Sequence, residues 1–120
     1  MGLDEKLKRR LLKARASEDH VAAIRRVARQ IPKGKVATYA QVAAAAGYPL
    51  YHRQVVQVLR KSGDRLPWQR VVGSGGFIKL HLEAGLEQRT RLELEGVRFK
   101  GKRVDMEAHG YTFRTWELGE

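Results

Sequence analysis

A mainly helical α/β domain built on a helix-turn-helix unit, with a small β-hairpin as its wing, is predicted by three features of this sequence. Two amphipathic helical segments flank a tyrosine–proline turn at Tyr48–Tyr51. A β-rich stretch broken by Gly73-Ser74-Gly75-Gly76 follows Pro67. The helix behind the turn turns arginine outward at Arg53 and Arg60. The 120 residues fit one domain over 1–120, because a chain of this length buries about two-thirds of its unfolded surface in one core.

The elements follow in order. Leu3, Leu7 and Leu11 recur at helical spacing among Lys6, Lys8, Arg9, Arg10, Lys13 and Arg15, so Leu3–Ala16 reads as a basic amphipathic helix. Ser17 reads as the N-cap of a second helix, with Val21, Ile24, Val27, Ala28 and Ile31 on its apolar stripe and Arg25, Arg26 and Arg29 on its wet side. Pro32 and Gly34 end it. Thr38 and Gln41 have the spacing of a capping box, which starts a short alanine-rich helix at Tyr39, and Gly47 sits where a left-handed C-terminal residue is wanted. After the turn, a helix over His52–Lys61 puts Val55, Val58 and Leu59 inward, until Ser62-Gly63 stops it.

Beyond Pro67, Arg70-Val71-Val72 and Phe77-Ile78-Lys79-Leu80 read as the two strands of a hairpin or wing. Leu86–Glu95 reads as a helix with Leu86, Thr90 and Leu94 on its inner side and Gly96 as its stop. Val97, Phe99 and Val104 around Lys100-Gly101-Lys102 suggest a further small hairpin, and the remaining tail carries no assignment.

Charge narrows the partner. Lys and Arg number 24 against 13 Asp and Glu, a net charge of +11, which points to a polyanion. A basic run alone is usually a solvated helix face. Joined to a helix-turn-helix and a wing it supplies both phosphate electrostatics and a rod that fits a groove, so DNA is the expected partner.

Several chemistries are excluded. With no cysteine there is no disulfide, no thiolate zinc site and no thiol nucleophile. His20, His52, His81 and His109 are scattered, so no metal site and no cofactor is expected. Ser74 lacks the glycine two residues before it that a nucleophile elbow needs, and the same glycines complete no phosphate-binding fingerprint. No apolar run reaches the roughly 18 residues of a membrane span, and the N-terminus lacks a signal-peptide core. A cytosolic monomer, nucleoid-associated in a bacterium and with no membrane partner, is the expectation.

From about residue 20 to 98 the chain resembles the C-terminal domain of O6-alkylguanine-DNA alkyltransferases. The resemblance runs in order through Ile31-Pro32-Lys33-Gly34-Lys35-Val36-Ala37-Thr38-Tyr39, Gln41-Val42-Ala43, Arg53-Gln54-Val55-Val56, Pro67-Trp68-Gln69-Arg70-Val71-Val72-Gly73-Ser74, Ala84-Gly85-Leu86-Glu87-Gln88 and Leu94-Glu95-Gly96-Val97. The family's active-site signature is Pro-Cys-His-Arg, whose cysteine takes the alkyl group. Here it reads Pro67-Trp68-Gln69-Arg70, so both nucleophile and histidine are gone. That departure resembles the alkyltransferase-like proteins, which recognise the same lesions without removing them.

The resemblance implies roles residue by residue. Tyr39 matches the tyrosine that rotates the target nucleotide out of the duplex, and Arg53 matches the arginine that fills the vacated stack. Trp68 falls at the alkyl acceptor's place, where an indole offers a flat apolar surface to a flipped base. Gln69 and Arg70 complete the signature, and Val71, Val72, Gly73 and Ser74 match the strand and loop lining the pocket. Glu95 matches the glutamate behind the family histidine, reduced here to a structural part. The implied function is to bind duplex DNA containing O6-alkylguanine through the minor groove, flip the base and flag it to nucleotide excision repair proteins, with no catalysis.

Two rivals stand beside this reading. A winged-helix transcription regulator would read sequence rather than damage. An enzyme using Glu95 or His81 would alter the DNA it binds.

Overall fold

The computed structural model describes residues 19–113, together with Glu5. The expected N-terminal basic helix and the Ser17 cap lie outside these residues. Helix α1 is His20–Ala28, and Asp19 caps it, its carboxylate accepting the Ala22 N–H at 2.8 Å. The cap expected at Ser17 is therefore supplied by Asp19, which stands next to the first helical residue and brings a negative charge to the positive helix end. Ile24, Val27, Ala28 and Ile31 are buried as the stripe requires, with Val21 packed at its margin.

Strand β1 (Ala37–Thr38) pairs in parallel with β2 (Val71–Val72), Ala37 opposite Val71 and Thr38 opposite Val72. The crossover between them holds the helix-turn-helix: α2 (Tyr39–Ala45) and α3 (His52–Ser62). The capping box is complete, with Gln41 N–H on the Thr38 hydroxyl at 3.0 Å and Thr38 N–H on Gln41 Oε1 at 2.8 Å. Gly47, at φ 89°, closes α2 while the Gly47 N–H donates to Ala44 O and the Tyr48 N–H to Ala43 O. These two bonds form a Schellman turn, which only a residue free of the left-handed penalty makes cheaply. The turn is fixed by packed rings, since Tyr51 lies tilted at 5.0 Å from Tyr48 and edge-to-face at 5.4 Å from His20. Val42, Ala43, Val55, Val58 and Leu59 then join the α1 stripe in one core.

The structure corrects the expected hairpin after Pro67. Val71 and Val72 are both fully buried, so β2 needs cover on both faces and lies as a buried strand paired with β1. Phe77 bridges Arg103 instead, and Ile78–Leu80 is irregular. The wing-like hairpin is the later one: β3 (Phe99–Lys100) antiparallel to β4 (Arg103–Val104).

The inner face of the next helix is also corrected. Helix α4 is Leu82–Leu94, and it buries Gly85, Gln88 and Leu92 while Leu86 and Leu94 are 67% and 79% exposed. Two contacts choose that face. The Gln88 amide donates to Val71 O at 2.9 Å and Gln69 O at 3.2 Å. Gly85 lets the helix close on Leu80, whose carbonyl would lie 2.6 Å from an added Cβ. The unassigned tail forms α5 (Met106–His109), after which Tyr111 N–H bonds Val36 O at 2.7 Å alongside β1.

Because the capping box starts the helix that carries Tyr39, Thr38→Ala should lower the unfolding free energy by about 1 kcal/mol, read by urea denaturation with the slope unchanged.

Candidate nucleic-acid interface

A cleft opens where α2, α3 and the start of α4 meet the irregular segment before α4. Its smaller lobe, of about 230 Å³, is walled by Tyr39, Val56, Leu59, Arg60, Gly63, Trp68, Leu80 and Ala84. A wider lobe of about 650 Å³ shares Tyr39, Val56, Arg60, Leu80 and Ala84 and adds Ala40, His52, Gly73, Ser74, Lys79 and His81. The wider lobe falls within the roughly 300–1,000 Å³ of small-molecule sites. Apolar walls thus meet a rim of Arg60, Lys79 and two histidines, an arrangement suited to a flat heterocycle attached to a phosphate chain.

Tyr39 stands at the first turn of α2. Burial pushes its phenol above the ordinary value, while the charge of Arg60 pulls the other way, so it remains a neutral hydroxyl able to donate. Trp68 is held from outside the cleft. Its indole N–H donates to Asp64 at 3.1 Å, and the Arg91 guanidinium lies over its ring at 5.1 Å while also pairing with Asp64 at 2.9 Å. The Trp68 and Arg91 hydrogen bonds and the Arg91 charge hold the exposed Asp64 carboxyl below its usual range.

The next two signature residues turn away from the cleft. Gln69 Nε2 donates to Glu95 Oε2 at 2.8 Å. Arg70 grips the same carboxylate at both oxygens, at 2.9 and 3.0 Å, and sends its third bond to Ile31 O at 2.9 Å. Burial pushes Glu95 upward, but hydrogen bonds from Arg70 and Gln69, the Arg70 charge and the Gly34 N–H outweigh it, and the carboxyl lies below its ordinary value.

Of the residues singled out from sequence, Tyr39, Trp68, Gly73 and Ser74 border the cleft. Arg53 is exposed at the start of α3, beside His52 of the rim. Val71 and Val72 are buried in β2 and line neither lobe, and Gln69 and Arg70 are engaged by Glu95. Sequence reasoning missed Val56, Leu80, Ala84 and the rim of His52, Arg60, Lys79 and His81. For α3 a signal existed: His52, Val56 and Arg60 are four apart and form a single row between the core and outer faces. Leu80 and His81 follow no periodic pattern, and only the approach at Gly85 places them.

Residues 19–97 match the family described as the 6-O-methylguanine DNA methyltransferase DNA binding domain. The chain belongs to this family. It is 47% identical over 73 residues to a DNA base-flipping protein of Vibrio parahaemolyticus, covering 59% of this chain and 73% of that one. It is 44% identical over 72 residues to Alkyltransferase-like protein 1 of Schizosaccharomyces pombe, covering 57% and 67%. The crystal structure of S. pombe Atl1 with damaged DNA containing O6-carboxymethylguanine superposes with a TM-score of 0.71 at 31% identity, over 78% of this chain and 95% of that one. Within the methyltransferase family this is an alkyltransferase-like member. Trp68 stands where the resemblance puts the alkyl-accepting thiol, and with no cysteine anywhere in the chain alkyl transfer to sulfur is closed to it.

Glu95 makes the stability of this site acid-sensitive. A carboxyl whose folded value lies below its unfolded one contributes fully above the unfolded value of 4.5 and loses that contribution as pH falls toward the folded value. Glu95→Gln should therefore cost about 2 kcal/mol at neutral pH, since Arg70 loses a charged partner, and the difference from the parent chain should shrink below pH about 4.5 in thermal melts.

Proposed function

We propose that this protein is a damage sensor: it binds duplex DNA carrying O6-alkylguanine, holds the base extruded in the cleft, leaves the alkyl group in place and hands the lesion to nucleotide excision repair. The observation that carries this reading is the placement of Trp68. It lines an open cleft opposite Tyr39, at the position that would hold the nucleophile, with its indole fixed by Asp64 and Arg91. An aromatic face there binds a base by stacking and offers no leaving-group chemistry. The S. pombe relative crystallised on DNA with an O6-alkylated guanine supports the same ligand class.

The steps follow from the charges and the geometry. A net charge of +11 draws the chain onto DNA without regard to sequence, and minor-groove docking adds little sequence information. Tyr39, at the cleft mouth on the first turn of α2, turns the nucleotide's phosphate. Arg53 projects from the start of α3 into the gap left in the stack, its planar guanidinium replacing the missing base. The alkyl group then sits against Trp68, Leu80 and Ala84, where apolar contact favours a modified guanine over an unmodified one. Gln69 is tied to Glu95 and supplies no base for any transfer. The complex persists for want of a reaction that would end it, and that persistence is the signal. A single copy suffices for this, acting wherever the chromosome lies.

Titration of matched duplexes, differing only by one O6-methyl group and measured at one salt concentration, tests the reading. The parent chain should prefer the methylated duplex; equal affinities would overturn lesion recognition. Arg53→Ala should weaken the methylated duplex about tenfold or more, and the plain duplex less, because extrusion loses support against an unstacking cost of roughly a few kcal/mol. Equal losses on both would reduce Arg53 to a phosphate contact.

A further inference from the structure

We propose that the β3–β4 hairpin is a second docking surface for the DNA backbone, continuous with the cleft and responsible for part of the lesion-independent affinity. This rests on the DNA-binding reading above and adds to it a surface outside the helix-turn-helix.

The hairpin concentrates charge. Between Val97 and Val104 stand Arg98, Lys100, Lys102 and Arg103, all exposed, with no acidic residue among them. Among the described residues no carboxylate pairs with Arg98, Lys102 or Arg103. Lys100 reaches Asp105 only at 3.8 Å, and its side chain is 63% exposed. An exposed pair this long contributes little, and Lys100 can leave it for a phosphate. Asp105 and Glu107 border the shallow depression at the hairpin's base and limit the patch on that side.

The patch is rigid and is coupled to the cleft. Arg89 spans the hairpin, its guanidinium 4.2 Å from the Phe99 ring centroid and its Nη1 donating to Gly101 O at 2.9 Å. Phe77 bridges Arg103, and Gly76 lies so close to β4 that an added Cβ would meet Val104 O at 2.8 Å. The Gly73–Gly76 turn therefore has a cleft-lining side at Ser74 and a hairpin-contacting side at Gly75. Lys79 of the rim sits over the Phe77 ring at 5.7 Å, which extends the row of cations from cleft to hairpin. Neighbouring cations of one row repel one another, and a polyanion lying along the row relieves that repulsion. Phosphate contacts of this kind position a protein and carry no sequence information, which is what a sensor scanning for rare lesions requires.

The test uses the full chain with Lys100→Gln, Lys102→Gln and Arg103→Gln together. Phe99 and Val104 are kept, and a thermal melt reports whether the fold is. Arg98→Gln with Lys102→Gln is a second variant that leaves the Phe77–Arg103 bridge and both strand registers untouched. Affinity for a duplex of about 21 base pairs, two helical turns, is measured over a salt series with and without one O6-methylguanine, alongside a hydroxyl-radical footprint. The expected result for the triple variant is a salt slope shallower by about 2–3, at roughly 0.9 per lost phosphate contact, a footprint shortened on one side of the lesion, and an unchanged ratio of methylated to plain affinity. For the double variant the expected slope change is about 2. An unchanged slope overturns the proposal, and so does a shallower slope with a full-length footprint, which would mean a diffuse field rather than contact. A fall in the lesion ratio would also overturn it, since the hairpin would then be part of the cleft. If the parent chain itself fails to bind either duplex, it is the underlying DNA-binding reading that falls.

Discussion

The two-point grip of Arg70 on Glu95 holds the rest of the site in register. It joins three parts of the chain: the end of α1, through Ile31 O; the segment that carries Trp68; and the C-terminus of α4. Gly34 and Gln69 complete the coordination of the same carboxylate. Both partners are largely buried, with side chains 19% and 12% exposed, so the pair is shielded from salt and from competing water. Its energetic worth over an apolar substitute is modest, but leaving either charge alone would be costly, and that asymmetry locks the geometry. By the resemblance Glu95 matches a glutamate that stands behind a catalytic histidine; here its carboxylate is held by Arg70 and Gln69.

From this anchor the division of labour in the molecule follows. Trp68 lies in the same short turn as Arg70, two residues before it, and is trimmed into place by Asp64 and Arg91, contacts at the surface that orient it without much stabilising the fold. The cleft it lines is apolar where an alkylated base would rest and cationic where a backbone would pass. In the proposed function, affinity and discrimination are carried by different residues. Charge supplies the first and responds to salt, whereas stacking and apolar contact supply the second and do not.

Much of the fold was legible because it is written in local chemistry. The Thr38–Gln41 capping box, the left-handed Gly47 and the stripe of Ile24, Val27, Ala28 and Ile31 each determine structure within a turn or two of chain. The errors came where a distant contact decided. Nothing near Val71 shows that its strand pairs with β1 across an entire helix-turn-helix, and nothing near Leu86 shows that a buried Gln88 will rotate α4 so that leucines face out. The site divides in the same way. Tyr39 and Trp68, which border the cleft, were singled out through the family resemblance, as was Arg53, which lines neither lobe, while Leu80 and Ala84 reach the cleft only because Gly85 admits a close approach of backbone to backbone.

In the proposed function an alkylated guanine leaves the duplex and stacks in the cleft against Trp68. The chain has two tryptophans, Trp68 and Trp116, so Trp116→Phe leaves Trp68 as the sole reporter. Its emission, followed while a duplex with one O6-methylguanine is added to saturation, measures that stacking directly. Strong quenching that saturates with binding is expected, and little quenching when the plain duplex is taken to saturation. Equal quenching by both duplexes, or none by the methylated one once bound, would contradict it.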